Sequence, residues 1–145
     1  MNGRRLEDDA DIDRLLSVTK RIAVLGIKTE AQRDQPAFSV PSYLKAAGFE
    51  VIPVPVYYPE ATTILGVPVV RRLVDVPGEI DIVDVFRRPA DVPQHLDDIL
   101  AKRPRAVWLQ LGIRNEVAAD RLTAAGIDVV QDRCILVEHR RWLRR

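Results

Sequence analysis

The sequence predicts an α/β domain built on a doubly wound parallel sheet. Apolar runs alternate with helix-period segments along the chain. The runs are nearly continuous, which marks strands buried on both faces. The first run, RIAVLG at residues 21–26, ends on a glycine and is followed by a polar, partly basic segment. A sheet of this kind delivers its first strand to a ligand beyond the strand ends in this way. Five or six strands are expected, with helices on both faces and the strand ending at Gly26 central.

The elements follow in order. Residues 1–7 are polar and expected to be loose. Ile12, Leu15, Leu16 and Thr19 have helical spacing behind the capping candidates Asp8 and Asp9. A strand is expected over 21–26. The next helix carries Val40, Tyr43, Leu44 and Ala47 and stops at Gly48; its start is placed near Ser39, so that Pro41 falls in the first turn. A second strand covers 49–54. Residues 55–70, rich in proline, read as a long loop ending in a short third strand near 67–70. Further strands are expected at 81–86, 106–111 and 127–131. A helix from Asp91 carries Val92, Leu96, Ile99 and Leu100, and another runs from Asn115 to Gly126. Residues 140–145 form a basic tail. The whole span 1–145 is read as one domain.

Composition narrows the function. Net charge is +1, which argues against a general nucleic-acid binder. No apolar stretch of membrane-spanning length and no signal-peptide pattern is present, so the expected location is the cytoplasm, with no membrane partner. The lone cysteine, Cys134, rules out an intramolecular disulfide and reads as a structural thiol.

The architecture gathers a basic group at the carboxyl edge of the sheet. Gly26, Ile27, Lys28, Thr29 and Arg33 follow the first strand. Pro53, Val54 and Pro55 end the second. Phe86, Arg87 and Arg88 end the strand over 81–86, and Gly112, Ile113, Arg114 and Asn115 follow the strand over 106–111. Basic side chains from separate loops suit a small polyanion, with arginine gripping phosphate through paired hydrogen bonds and lysine acting as a point charge. NAD is disfavoured. The next glycine after Gly26 is Gly48, so the dinucleotide fingerprint is missing, and the second strand ends without an acid for the ribose. No P-loop occurs. Arg71, Arg72 and the tail arginines read as solvated surface. His95 and His139 have no nucleophile or carboxylate arranged with them, Asp81 and Asp84 share no face with another carboxylate, and Asp132 with Arg133 reads as an ion pair at a strand end. No catalytic group and no metal-ligand spacing stands out.

The segments QPAFSVPSYL (35–44), GFEVIPV (48–54), ILGVP (64–68), DIVDVFRRP (81–89), VWLQLG (107–112) and VQDRC (130–134) occur in this order. With them the chain resembles the small single-domain coenzyme A-binding proteins, which are similar to the coenzyme A-binding domain of the succinyl-CoA synthetase α subunit. The resemblance spans about residues 19–139. It implies a Rossmann-like fold and a site for coenzyme A or an acyl-CoA. Gly26, Ile27, Lys28, Thr29 and Arg33 would meet the phosphates; Pro53, Val54, Phe86, Arg87 and Arg88 would border the nucleotide. Two features depart from it: Glu30 and Asp34 put negative charge in the first loop, and Pro41 falls near a helix start. The synthetase works with a second domain that supplies a phosphorylated histidine, which neither histidine here matches, so the enzymatic activity does not carry over. The expected function is non-catalytic binding, by a chain that works alone, as a homodimer or with a protein partner. The alternatives are a partner subunit of an acyl-CoA ligase or acyltransferase, and an NAD(P)-sensing regulatory module.

Overall fold

The computed structural model describes residues 2–145. Its centre is a five-stranded parallel sheet in the order β2-β1-β5-β6-β7, made of β1 (Arg21–Leu25), β2 (Glu50–Val54), β5 (Ile82–Val85), β6 (Ala106–Leu109) and β7 (Asp128–Val130). Strand β1 is interior, as its apolar sequence requires, but β5 is the middle strand. The order reverses between β1 and β5, so a topological switch point lies at their carboxyl ends.

Successive strand residues face opposite sides of the sheet, which produces two cores. On one side Ile22, Val24, Val51, Ile82 and Trp108 meet α1 (Asp9–Val18), α2 (Pro36–Ala46) and α5 (Ile135–Arg144). On the other, Ala23, Leu25, Ile52, Val83, Val85 and Val107 meet α3 (Leu96–Lys102) and α4 (Glu116–Ala124). Helices on both faces complete an α/β Rossmann-like fold.

Several elements differ from the sequence reading. Residues 2–7 are not loose: Arg5 bridges Val129 beside β7, the Gly3 N–H donates to the Thr123 carbonyl (2.7 Å), and Leu6 is buried. A polar stretch is held by main-chain bonds, which polarity does not reveal. Nor is 140–145 a tail, because α5 continues to Arg144. Its arginines find local partners: Arg141 bonds Asp13 at 2.7 Å, and the Arg140 guanidinium lies over the Tyr43 ring. The single strand expected near 67–70 is a small antiparallel hairpin, β3 (Thr63–Ile64) and β4 (Val67–Pro68), turned by Leu65 and Gly66, both at positive φ. The helix expected from Asp91 begins as a 3₁₀ turn, Pro89–His95, and becomes α3 only at Leu96.

Helix α2 starts at Pro36, three residues before the expected Ser39, and Pro41 sits inside it. Proline there cannot donate to the carbonyl four residues back, that of Ala37. The Lys28 N–H takes that acceptor instead, at 3.1 Å. The defect in the helix thereby ties down the loop that follows β1.

One buried group conflicts with the core. Asp84, in the middle of β5, is fully buried, and neither carboxylate oxygen has a hydrogen-bond partner. Its register neighbours are Val24 and Trp108. Desolvation pushes its carboxyl well above the ordinary carboxylate range, so the neutral acid is the favoured form. The folded state then binds its proton more tightly than the unfolded state does. The stabilisation from this proton is complete below the unfolded value, roughly pH 4, and is lost as pH rises toward the folded value. In thermal melts Asp84→Asn should therefore gain on the native protein as pH increases above about 4. Asp84→Val, which removes the orphaned oxygens, should be more stable at neutral pH by about 1–3 kcal/mol. A gap between Asp84→Asn and native protein that stays constant with pH would refute a neutral Asp84.

Candidate functional site

The carboxyl edge is organised around Gly26. Its N–H donates to the Val54 carbonyl of β2 (2.9 Å), and the Phe86 N–H donates to the Leu25 carbonyl (2.9 Å), so three strand ends are joined there. Gly26 has φ +89°, and a Cβ would run into the Phe86 carbonyl oxygen and approach Arg87 Cδ at 3.2 Å. Only glycine fits both the backbone conformation and the space.

The loop after Gly26 is built from its own side chains. Thr29 caps a 3₁₀ turn, Glu30–Gln32: its Oγ1 accepts from the Ala31 N–H, while the Gln32 Oε1 accepts from both the Thr29 N–H (3.1 Å) and hydroxyl (2.8 Å). The Glu30 carboxylate accepts the Leu65 N–H at 2.9 Å, which secures the β3–β4 hairpin. Lys28 Nζ donates to Gln35 Oε1.

Two cavities lie at this edge. One, of about 360 Å³, is lined by Lys28, Gln35, Phe86, Arg87, Arg88 and Gly112, among others. The second, of about 190 Å³, is lined by Val54, Pro55, Val56, Arg71, Arg72 and His95, among others. Arg87 belongs to both neighbourhoods. It lines the first, and its Nε donates to His95 Nε2 (3.1 Å) in the second. Its side chain is only 9% exposed, with Asp91 at 3.8 Å and the Tyr57 ring centroid at 5.5 Å. Arg88 is 82% exposed and bonds Asp91 at 2.8 Å. That hydrogen bond holds the Asp91 carboxyl below its ordinary value. Burial, followed by the charge of Arg87, lowers His95, which suits a neutral ring accepting from a guanidinium.

The structure brings Lys28, Phe86, Arg87 and Arg88 together on one cavity and puts Val54 on the other. Ile27 is 1% exposed and packs in the core. Thr29 spends its hydroxyl on the cap. Arg33 is exposed, lines neither cavity, and leans on the Glu30 carbonyl at 3.4 Å. Pro53 is buried, and its carbonyl accepts the Val70 N–H. Of the other strand-end residues, Asn115 caps α4 through the Ala118 N–H, and Arg114 pairs with Glu116.

Three residues set aside in the sequence lie at the edge. Arg72 lines the second cavity and pairs with Asp98 at 2.8 Å. Arg71 donates to four carbonyls of the loop after β2, those of Tyr57, Tyr58, Pro59 and Ala61. His95 completes a row with Arg87 and Asp91 at four-residue spacing. Asp91 and His95 both approach Arg87 from the 3₁₀ turn that follows it. Among the described residues, no three His, Cys, Asp or Glu side chains converge as a metal site, and no helix is long and apolar enough to cross a membrane.

Residues 20–140 match the family described as the CoA binding domain. The chain belongs to this CoA-binding family. A relative in Bacillus subtilis, the uncharacterized protein YneT, is 38% identical over 130 residues, covering 90% of this chain and 93% of its own. A solved structure from Thermus thermophilus is 41% identical, with TM-score 0.85, covering 94% of this chain and 99% of that one. A larger protein shares the fold alone: an acetyl-coenzyme A synthetase of Candidatus Korarchaeum cryptofilum, solved with phosphate and ADP. It is 19% identical with TM-score 0.64, covering 81% of this chain and 27% of that one. The CoA-binding match runs through every strand of the sheet and includes both cavities' linings.

Gly26→Ala tests the junction. The left-handed conformation costs a side-chain-bearing residue roughly 1–2 kcal/mol, and the contact is with backbone, which yields little. The variant should lose at least about 2 kcal/mol in denaturant unfolding. Stability within about 0.5 kcal/mol of the native protein would show that the junction tolerates a side chain.

Proposed function

We propose that this protein binds coenzyme A, free or acylated, along the carboxyl edge of its sheet and carries out no catalysis of its own. The family match across residues 20–140 carries the reading, and the basic lining of the edge supports it. Coenzyme A bears a pyrophosphate and a 3′-phosphate on an adenosine. Lys28 and the Arg87–Arg88 pair supply positive charge at the switch point, beside a Gly26 junction that has no room for a side chain. Val54, Pro55 and Val56 offer an apolar wall for the nucleoside. Of the loop residues, Lys28 is the direct contact in this reading. Ile27, Thr29 and Pro53 act by shaping the loop and strand end, and Arg33 contributes charge from the surface.

Arg87 is the arginine assigned to phosphate, because it lies over Gly26 and is held by His95 and Tyr57. Arg88 reaches solvent and must leave Asp91 to join. Binding then draws on charge-assisted hydrogen bonds of about 1.5–3 kcal/mol each. Restraint by neighbours lowers the ordering cost that a free arginine would incur.

Calorimetry with the purified chain tests this. Coenzyme A should bind, and NAD should bind at least about tenfold more weakly. Arg87→Ala should weaken coenzyme A binding by roughly ten- to a hundredfold and Arg88→Ala by less. Dephospho-coenzyme A shows whether the lost contact is to the 3′-phosphate, since the Arg87→Ala penalty then shrinks. Arg87→Ala also removes a partner of His95, so its melting temperature is measured alongside. NAD binding as tight as coenzyme A, or Arg87→Ala binding like the native protein, would overturn the assignment.

A further inference from the structure

A third cavity lies at the opposite, amino edge of the sheet. It is an open groove of about 600 Å³ between the ends of α1, α2 and α5 and the starts of β1 and β2. The strands are five residues long, so it lies roughly 17 Å from the Gly26 edge. Its volume falls in the range of small-molecule sites.

Its walls are aromatic. His139, only 5% exposed, meets Phe49 edge-to-face at 5.2 Å and Trp142 at 5.7 Å between ring centroids. Tyr43 Oη and His139 Nδ1 are 2.7 Å apart. When the Tyr43 hydroxyl donates to Nδ1, the neutral ring carries its proton on Nε2. No hydrogen bond among the described residues engages Nε2. In that tautomer a nearly buried histidine presents one unengaged donor where it lines the groove.

Cations lie at and near the groove. Lys20 also lines the groove. Its backbone is fixed by the Asp81 carboxylate at 2.9 Å, while its ammonium has no ion-pair partner among the described residues. The Arg140 and Arg145 guanidinium groups lie 5.1 Å and 5.0 Å from the centroids of the Tyr43 and Trp142 rings. The one acid in the lining, Glu50, is engaged by Arg21 at 3.0 Å.

We propose that this groove is a second ligand site, separate from the strand-end edge, for a small carboxylate with a flat apolar body. The body lies against Trp142, Phe49 and Leu16, and the carboxylate faces the His139 Nε2–H and the Lys20 ammonium. A lone ammonium and one N–H donor match a single carboxylate better than a phosphate cluster, which calls for forked arginines. The site rests on its own lining and stands whether or not the strand-end edge binds coenzyme A.

The test uses the ¹⁵N-labelled full chain titrated with indole-3-acetate, and with indole-3-acetamide as the uncharged match. Indole-3-acetate should shift the Trp142 indole N–H resonance saturably, with a Kd below about 1 mM. The buried Trp108 indole, bonded to the Arg133 carbonyl, should stay unmoved. The amide should bind at least about tenfold more weakly, and both Lys20→Met and His139→Phe should lose at least about fivefold in affinity. Lys20 is exposed, so Lys20→Met keeps the test valid if His139→Phe fails to fold. Four outcomes would each overturn the site: no saturable shift, equal binding of acid and amide, shifts confined to Gly26 and Arg87, or a Trp142 shift that tracks protein concentration without probe. The last would mean that a second copy of the chain covers the groove.

Discussion

The junction at Gly26 is the constraint on which the rest of the carboxyl edge depends. Two main-chain hydrogen bonds join the ends of β1, β2 and β5, and the glycine turns there at positive φ under the Phe86 carbonyl. The missing side chain lets the Phe86 carbonyl and Arg87 close on the chain at the reversal of strand order, where open α/β sheets bind ligands. Arg87 then lies directly over the junction. Its position is set by β5, by His95 at the end of the 3₁₀ turn and by Tyr57 from the loop after β2. Three separate stretches of chain fix one guanidinium.

The loop after Gly26 depends on a second coupling. Pro41 leaves the Ala37 carbonyl without its helical donor, and the Lys28 N–H occupies it. Glu30 reaches the other way, to the Leu65 N–H of the hairpin. The loop is thus pinned to α2 on one side and to the β3–β4 turn on the other. A proline that costs a helix about 3 kcal/mol in isolation is tolerated because its orphaned acceptor is used.

The sheet was legible because its signal is simple. The five sheet strands read as apolar runs, and glycine marks the turn after two of them, at Gly26 and Gly112. What escaped depended on partners distant in sequence. Residues 2–7 are polar, and their order comes from main-chain bonds to Thr123 and Val129. The terminal arginines looked like a solvated tail, yet they sit on a helix whose ring and carboxylate partners lie on α1 and α2. At the carboxyl edge, the strand-end reading and the fold agree in bringing Lys28, Phe86, Arg87 and Arg88 onto one cavity. The fates of Ile27, Thr29 and Arg33 turned on side-chain direction, which loop sequence does not encode. Arg71 and Arg72 are exposed, as their sequence suggests, and what the sequence does not show is that Arg71 gathers four carbonyls of the long loop.

Charge balance explains how a nearly neutral chain keeps a basic edge. Three of the acids near the edge are directed elsewhere: Glu30 to a backbone N–H, Asp98 to Arg72, and Asp91 chiefly to Arg88. Lys28 meets only the neutral Gln35, and Arg87 is held by the neutral ring of His95, with Asp91 no closer than 3.8 Å. These contacts orient the two cations without cancelling their charge. Arg88 is the exception, since it is closely paired with Asp91. An anion at this edge would meet Lys28 and Arg87 as standing positive charge and would draw on Arg88 only by displacing a carboxylate. The adjacent arginines, alike in sequence, are therefore unequal in the fold, and the difference arises from burial and from which partner each one holds.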